Sequence, residues 1–193
     1  MEQNFYHRDC LLVQLREAYG RVVYTYTTHL KVMSHLVKKN ALIKYTQIIF
    51  SAISTGGFLG SIITNEIVLT CIGGLFSTAL LALNLFYKDF NLLEEIKQHR
   101  STADNLWMVR EDYISLLTDY SILSDVEIMA QRDKLQSRVF EIYKIAPKTD
   151  RKSYIEAQNA LKVEEEQFFT PEEIDKMLPS HLRDNGKTSS AKS

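Results

Sequence analysis

The fold is decided by one stretch that carries almost no charge, residues 45–87, YTQIIFSAISTGGFLGSIITNEIVLTCIGGLFSTALLALNLFY. The sequence holds 23 Lys or Arg and 24 Asp or Glu residues, yet only Glu66 lies inside this stretch. Glu66 divides it into two uncharged runs, residues 45–65 and residues 67–87, each 21 residues long. At about 1.5 Å per helical residue, each run spans roughly 32 Å, close to the hydrocarbon thickness of a bilayer. The stretch therefore predicts a hairpin of two transmembrane helices.

The alternative to a membrane hairpin is a helical hairpin buried at the centre of a soluble bundle. The many Ser, Thr and Gly residues of the first run favour this alternative. The flanking segments, however, show amphipathic patterns with a single apolar side, so they could not cover a hairpin that is apolar all round. We therefore prefer the membrane interpretation.

Basic residues near the hairpin predict its orientation. Lys38, Lys39 and Lys44 precede the first run and Lys88 follows the second, whereas the turn between the runs has no Lys or Arg. The positive-inside tendency therefore places both termini in the cytoplasm.

Residues 1–44 are predicted to form an amphipathic cytosolic helix. Apolar residues recur there at alternating spacings of three and four, which is typical of a helix that packs along one seam. A helix with such a seam needs a partner, and we assign the seam to contacts between subunits of a homo-oligomer. The seam residues are Leu12, Leu15, Tyr19, Val22, Tyr26, His29, Met33 and Leu36.

Residues 88–183 are predicted to be a cytosolic helical region. The apolar pattern continues past residue 87 without an obvious stop, so we expect the second membrane helix to extend into the cytoplasm. Ser124 and Glu127 have the spacing of a capping box that opens the next helix, and Pro147 follows its end. A shorter helix is expected around residues 153–161, and a last turn at Thr170 and Pro171. Residues 184–193 are expected to be a disordered tail, and the fold class is all-α.

The sequence contains no recognisable catalytic or cofactor-binding motif. The chain is therefore predicted to be no enzyme, to hold no cofactor or metal, and to bind no nucleic acid directly. His29 and His35 are six residues apart and point to different sides of a helix, so a neighbour that satisfies His29 is the preferred interpretation. A basic run could bind anionic headgroups, although such runs are more often solvated loops. It comprises Lys144, Lys148, Arg151 and Lys152.

Both membrane runs have a polar face on a helical wheel. These faces are candidates for lining a pore, and Leu81 dilutes the second face. Gly56 and Gly60 lie nearly opposite the first face and form a GxxxG spacing, which permits close packing against another helix. The candidate pore-lining residues are Gln47, Ser51, Ser54, Phe58, Ser61 and Asn65 in the first run, and Thr70, Gly74, Ser77 and Asn84 in the second.

Two interpretations of these polar faces are equally compatible with the sequence. In the first, hydroxyl and amide groups form hydrogen bonds between helices and stabilise the bundle by about 0.6 to 2 kcal/mol each. In the second, several hairpins assemble and turn the polar faces toward a water-filled pore, because a single hairpin cannot enclose one.

The order of elements resembles that of the SLATT proteins, two-transmembrane effectors found beside nucleotide-signalling genes in bacterial defence systems. The similarity covers roughly residues 6–183 and follows a C-terminally extended branch of that family. Three stretches carry it most specifically: YISLLTDY at residues 113–120, IAPKTDRKSYIEAQNAL at 145–161 and FFTPEEIDKMLPSHLR at 168–183.

This resemblance implies a pore-forming or membrane-disrupting effector in the bacterial inner membrane, which halts an infected cell when a partner enzyme senses phage. The implied partners are the lipid bilayer and a neighbour-encoded nucleotide-second-messenger synthase or reverse transcriptase. The family offers no catalytic residues to carry over. The alternative function is a non-conducting membrane anchor or scaffold that localises a partner enzyme.

Overall fold

A computed structural model describes residues 2–183 of the chain, and these residues form helices and turns without any strand. The predicted all-α fold is therefore confirmed. The predicted disordered tail, residues 184–193, lies outside the described residues. The helices are α1 (Glu2–Thr64), α2 (Ile67–Tyr87), α3 (Leu92–Thr118), α4 (Asp125–Ile145), α5 (Arg151–Lys162) and α6 (Pro171–Met177), with 3-10 turns at Asp119–Ser121 and Ser180–Leu182.

The chain divides into two compact units, Met1–Ala157 and Gln158–Ser193, and the boundary falls within α5. The first unit contains α1 to α4 and the beginning of α5. The second contains the end of α5, α6 and the last 3-10 turn. In the second unit, Thr170 accepts a hydrogen bond from the Glu173 N–H, and the Glu173 side chain accepts one from the Thr170 N–H. The helix start predicted at Thr170 and Pro171 is confirmed.

Helix α1 is a single helix of 63 residues and, at 1.5 Å per residue, about 95 Å long. It contains residues 2–44 of the predicted cytosolic helix and residues 45–64 of the first membrane run, with no interruption between residues 44 and 45. The turn that follows is tight, because α2 begins at Ile67. Asn65 there adopts a left-handed conformation with φ of 56°, which Asn tolerates better than most residues, and its N–H bonds the Ser61 carbonyl at 2.9 Å.

The expectation that α2 continues into the cytoplasm is wrong. Helix α2 ends at Tyr87, and α3 starts as a separate helix at Leu92. The physical reason is the cap at Asn91, whose side chain accepts a hydrogen bond from the Glu94 N–H at 3.2 Å. The apolar pattern runs across this break because it records which side is buried and not whether the backbone is continuous.

The cytosolic part of the first unit is a bundle of α1, α3 and α4. Its core joins Leu15 and Val22 of α1 to Leu106 and Tyr113 of α3 and Ile128 of α4. Helix α4 begins at the predicted capping box, since Ser124 accepts from the Glu127 N–H and Glu127 accepts from the Ser124 N–H. The end predicted before Pro147 is confirmed at Ile145.

The seam of α1 packs largely within its own chain. Leu15, Val22 and His29 are buried in the first unit, so they are not free to contact another subunit in this conformation. Their assignment to a subunit contact is corrected accordingly. The reason is that α3 folds back along α1, which the sequence pattern does not record. The other seam residues, Leu12, Tyr19, Tyr26, Met33 and Leu36, are half-buried, and a role for them in oligomerisation stays a prediction.

Arg8, near the start of α1, forms hydrogen bonds with the connection between α3 and α4 and with the start of α4. Its guanidinium donates hydrogen bonds to Asp125 at 2.5 Å and to the carbonyl oxygens of Tyr120 and Leu123 at 2.5 and 3.0 Å. The Tyr120 hydroxyl in turn donates to the Arg8 carbonyl, and the guanidinium lies 4.9 Å from the centre of the Tyr120 ring. One side chain thereby satisfies two carbonyls of the connection between α3 and α4.

We expect Arg8→Ala to lower the free energy of unfolding by about 1 to 3 kcal/mol, because it leaves several partly buried acceptors without a donor. Urea unfolding of the detergent-solubilised chain, followed by circular dichroism, measures this change. Arg16→Ala is the matched control, since Arg16 is an exposed residue of the same helix. Equal stabilities for the two variants would contradict the fastening role of Arg8.

Candidate functional site

The hairpin of α1 and α2 exposes its apolar surface. Its most apolar windows have mean hydropathies of 1.4 and 1.9, and only 0% and 6% of them are buried inside the chain. Ile62 and Ile63, for example, are 78% and 84% exposed. The alternative of a hairpin buried at the centre of its own bundle is therefore wrong, and both helices are long and apolar enough to cross a membrane.

Polar side chains form hydrogen bonds between the two helices of the hairpin. The Gln47 amide donates to the Asn84 carbonyl oxygen at 2.8 Å near one end, and the Thr70 hydroxyl donates to Ser61 at 2.7 Å near the other. Ser54 is buried between them along α1. These contacts match the interpretation in which the polar faces form hydrogen bonds between helices and stabilise the bundle.

The remaining candidate pore-lining residues are distributed around the hairpin. Ser51, Phe58, Asn65 and Ser77 are exposed, and Gly74 is half-buried. The hairpin therefore uses part of the polar face within one chain and leaves part of it uncovered. That any of these residues lines a pore stays a prediction.

The two helices touch backbone to backbone at Gly57 and Gly73. A Cβ atom added at Gly57 would lie 2.9 Å from the Leu69 carbonyl oxygen and 3.0 Å from the Gly73 Cα, and one added at Gly73 would lie 3.0 Å from the Ser54 carbonyl oxygen. Such distances leave no room for a side chain. Glycine is thus required at both positions by close approach.

Gly56 and Gly60 were predicted to pack against another helix, whereas the glycines in contact within the hairpin are Gly57 and Gly73. Gly60 lies near the Leu69 side chain, at 3.2 Å for an added Cβ, whereas no atom lies within 4 Å of a Cβ at Gly56. A role of Gly56 against another chain stays a prediction. The available signal was that each membrane run contains a Gly-Gly pair, since one glycine of each pair faces the partner helix.

A groove of about 760 Å³ opens on the side of the hairpin nearest the cytosolic bundle. It is lined by Lys44, Gln47, Ile48, Ser51, Ala52 and Thr55 of α1 and by Leu80 and Asn84 of α2. Lys44 and Gln47 also line an adjoining recess of about 200 Å³, next to Tyr87 and Phe90. The groove therefore combines hydroxyl and amide groups with apolar side chains and has a lysine at one end.

Aromatic rings gather at the same end of the hairpin. Phe86, Tyr87 and Phe90 contact one another, with ring centres 5.1 to 5.8 Å apart. The Lys39 ammonium lies 5.9 Å from the Tyr87 ring centre and 5.4 Å from that of Phe90. Amphipathic rings and lysines of this kind favour the boundary between hydrocarbon and water.

A pair of buried histidines joins α1 to α3 in the cytosolic bundle. The Nδ1 atoms of His29 and His99 lie 2.8 Å apart, and both side chains are buried. Burial, together with His99, lowers the pKa of His29 from 6.5 to about 4. Burial also lowers the pKa of His99, while the nearby carboxylates Glu95 and Asp150 act in the opposite direction. The pair is therefore neutral near pH 7, with one ring donating and the other accepting.

The expected neighbour of His29 is thus His99, which lies 70 residues away and could not be identified from spacing alone. His35 instead pairs with Glu156 of α5 at 2.6 Å. Within the described residues, no three His, Cys, Asp or Glu side chains are grouped as metal ligands. In the basic run, Lys144 and Lys152 lie 3.7 and 4.0 Å from Glu141 and Glu156, so its charge is partly balanced by its own chain.

The uncovered apolar hairpin and the attached helical bundle define a two-pass membrane protein. A family model described as SMODS and SLOG-associating 2TM effector domain family 4 matches residues 11–173. The chain therefore belongs to the SLATT family, whose domain is a two-transmembrane effector domain of defence systems, and the resemblance seen in the sequence is confirmed. No significant match was found among curated proteins or among solved structures.

We expect Gly57→Ala to destabilise the hairpin by about 1 to 3 kcal/mol, because its methyl group would force two helix backbones apart. The thermal midpoint of the chain in detergent micelles measures the effect. Gly56→Ala is the matched control, since it makes the same change at the adjacent residue, where no atom lies within 4 Å. A lower midpoint for Gly56→Ala than for Gly57→Ala would contradict this packing.

We expect the bundle to lose stability as the pH falls from about 7 to 5. The unfolded chain binds a proton at His29 near pH 6.5, whereas the folded chain does so only near 4, so protons favour the unfolded state in this window. The loss should be on the order of 1 to 3 kcal/mol. Thermal melts at several pH values measure it, and the dependence should weaken in His29→Gln.

The control for this pH dependence is His7→Gln, which removes an exposed histidine of the same helix. Its pH profile should match that of the parent chain. A profile for His29→Gln as steep as that of His7→Gln would show that the buried pair is not the origin of the acid sensitivity.

Proposed function

We propose that this protein is the membrane effector of a bacterial anti-phage system, which oligomerises in the inner membrane and permeabilises it when a partner enzyme or nucleotide signal triggers it. The observation that carries the proposal is the hairpin, whose apolar surface is not covered by the rest of the chain. Membership of the effector family supports the same function. Growth arrest or death of the infected cell is the consequence of permeabilisation.

Several copies are needed for conduction, because two helices cannot enclose a water-filled path. Ser51 and Ser77 are exposed on the hairpin and are free of the hydrogen bonds that join α1 to α2. We assign them to the lining of the assembled pore. Glu66 at the turn is the one charged residue between residues 45 and 87, so a pore of this kind discriminates weakly between ions.

The trigger acts on the cytosolic bundle. Helix α1 belongs both to the bundle and to the hairpin, and it passes between them without a break. A change of packing against α3, where Val22 and His29 are buried, is therefore coupled to the position of the hairpin. Both termini lie in the cytoplasm in this arrangement, within reach of a nucleotide-second-messenger synthase or a reverse transcriptase.

A non-conducting anchor is the second candidate function. The hydrogen bonds from Gln47 to Asn84 and from Thr70 to Ser61 favour it, because they engage polar side chains inside one hairpin. An anchor would localise its partner through the bundle and leave the membrane potential unchanged.

The test is the membrane potential of live bacteria, recorded with a voltage-sensitive dye after this protein is expressed with and without a neighbour-encoded enzyme. We expect depolarisation when the enzyme is triggered. The double variant Ser51→Leu with Ser77→Leu should abolish it and still reach the membrane, because leucines at these exposed positions remove hydroxyls from a pore without entering the hairpin contact.

Thr78→Leu is the matched control. Thr78 is an exposed residue of α2 whose hydroxyl donates a hydrogen bond to the Gly74 carbonyl of its own helix at 3.0 Å. Replacing Thr78 therefore removes a hydroxyl that is already paired with the backbone and that a pore would not use to bind water. This variant should depolarise cells like the parent chain. An unchanged potential in cells with a triggered partner would contradict the effector and support the anchor.

A further inference from the structure

The groove on the hairpin places a cation at one end of a membrane-facing surface. Lys44 is exposed, lines both the groove and the adjoining recess, and takes part in none of the ion pairs formed within residues 2–183. It directly precedes the uncharged run, at the end of the hairpin where Tyr87 and Phe90 gather. A lysine at this depth lies where lipid phosphates are.

The polarity of the groove changes with distance from Lys44. Gln47 and Ser51 follow Lys44 along α1, at about 4.5 and 10.5 Å for a rise of 1.5 Å per residue. Asn84 faces them from α2, and because its oxygen is taken by Gln47, its N–H groups stay available to a ligand. Ala52 and Leu80 add apolar walls. The groove thus suits a molecule with an anionic head, ester oxygens below it and a hydrocarbon chain.

A second copy of the chain is a poor occupant at the Lys44 end. A copy inserted in the same direction would bring its own Lys44 to this level, and the hairpin's carboxylate, Glu66, lies at the far end. Like charges at one depth repel each other where the dielectric constant is low. Asp89, the acidic residue that follows the second run, lines neither the groove nor the adjoining recess and forms no ion pair with Lys44 among the described residues, so we take the counter-charge from the membrane.

We propose that this groove is a binding site for one anionic phospholipid of the cytoplasmic leaflet. Its phosphate lies at Lys44, its ester oxygens accept hydrogen bonds from Ser51 and Asn84, and an acyl chain follows Ala52 and Leu80. The inference rests on the membrane insertion and orientation given under the proposed function. The bound lipid covers Ser51, so lipid binding and pore assembly compete for the same residue.

Native mass spectrometry of the full chain released from detergent micelles tests the site, with phosphatidylglycerol and phosphatidylcholine as the probes. We expect the parent chain to retain phosphatidylglycerol in preference to phosphatidylcholine. Lys44→Gln should lower the retained phosphatidylglycerol about fivefold, the loss expected for one lysine near an anionic surface. Lys38→Gln removes the same charge from an exposed residue outside the groove and should behave like the parent chain.

Ala52→Phe is a second variant, which fills the groove without changing its charge and should lower the retention of both lipids. Circular dichroism confirms that each variant keeps its helix content. Equal retention of phosphatidylglycerol by the parent chain and by Lys44→Gln, or equal retention of the two lipids by the parent chain, would overturn the site. Displacement of the lipid by millimolar inorganic phosphate would also overturn it, because the groove would then recognise free phosphate.

Flotation with vesicles of both lipids separates this inference from the proposed function. A chain that floats with the vesicles but retains no phosphatidylglycerol contradicts the lipid site alone. A chain that does not float contradicts both the site and the membrane insertion on which it rests.

Discussion

The structure depends on one constraint, which is that α1 must be stable in two solvents along its length. In water, burial of apolar side chains drives packing, and the first half of α1 supplies Leu15 and Val22 to a core shared with α3 and α4. In hydrocarbon that driving force is absent, and every backbone N–H and C=O has to be paired internally. An uninterrupted helix meets both demands, because its own backbone pairs the polar groups wherever it lies.

Packing consequently uses different means in the two halves. In the bundle, large apolar side chains are buried, and a few polar groups such as Arg8 and the His29–His99 pair fix the positions of the helices. In the hairpin, Gly57 and Gly73 bring two backbones into contact, and a hydrogen bond lies toward each end of that contact. The hairpin therefore has a close internal contact and an uncovered exterior.

Features set by local chemistry were predictable from the sequence, and features set by long-range contacts were not. The uncharged runs on both sides of Glu66 were enough to predict the hairpin. Ser124 and Thr170 were enough to predict two helix starts, because a capping box depends only on residues three positions apart. The break at Asn91 was missed because a periodic pattern can cross a gap between helices. A helical wheel shows the sides of one helix and does not show which helix lies opposite. The sequence therefore did not predict that His99 contacts His29 or that Gly57 contacts Gly73. The polar faces were located, but a wheel cannot separate contacts within a chain from contacts between chains.

The buried seam and the polar face of the hairpin lie on the same side of α1. His29 and Gln47 are 18 residues apart, which is about five turns of an α-helix, so both point to the same side. Helices α3 and α2 consequently follow α1 on that one side, one in water and the next in lipid, with the break before Leu92 between them. The segment of α1 that joins the two environments is therefore constrained in the angle through which it turns. Adding or removing a single residue there would turn bundle and hairpin about 100° apart, whereas a change by whole turns would keep them aligned.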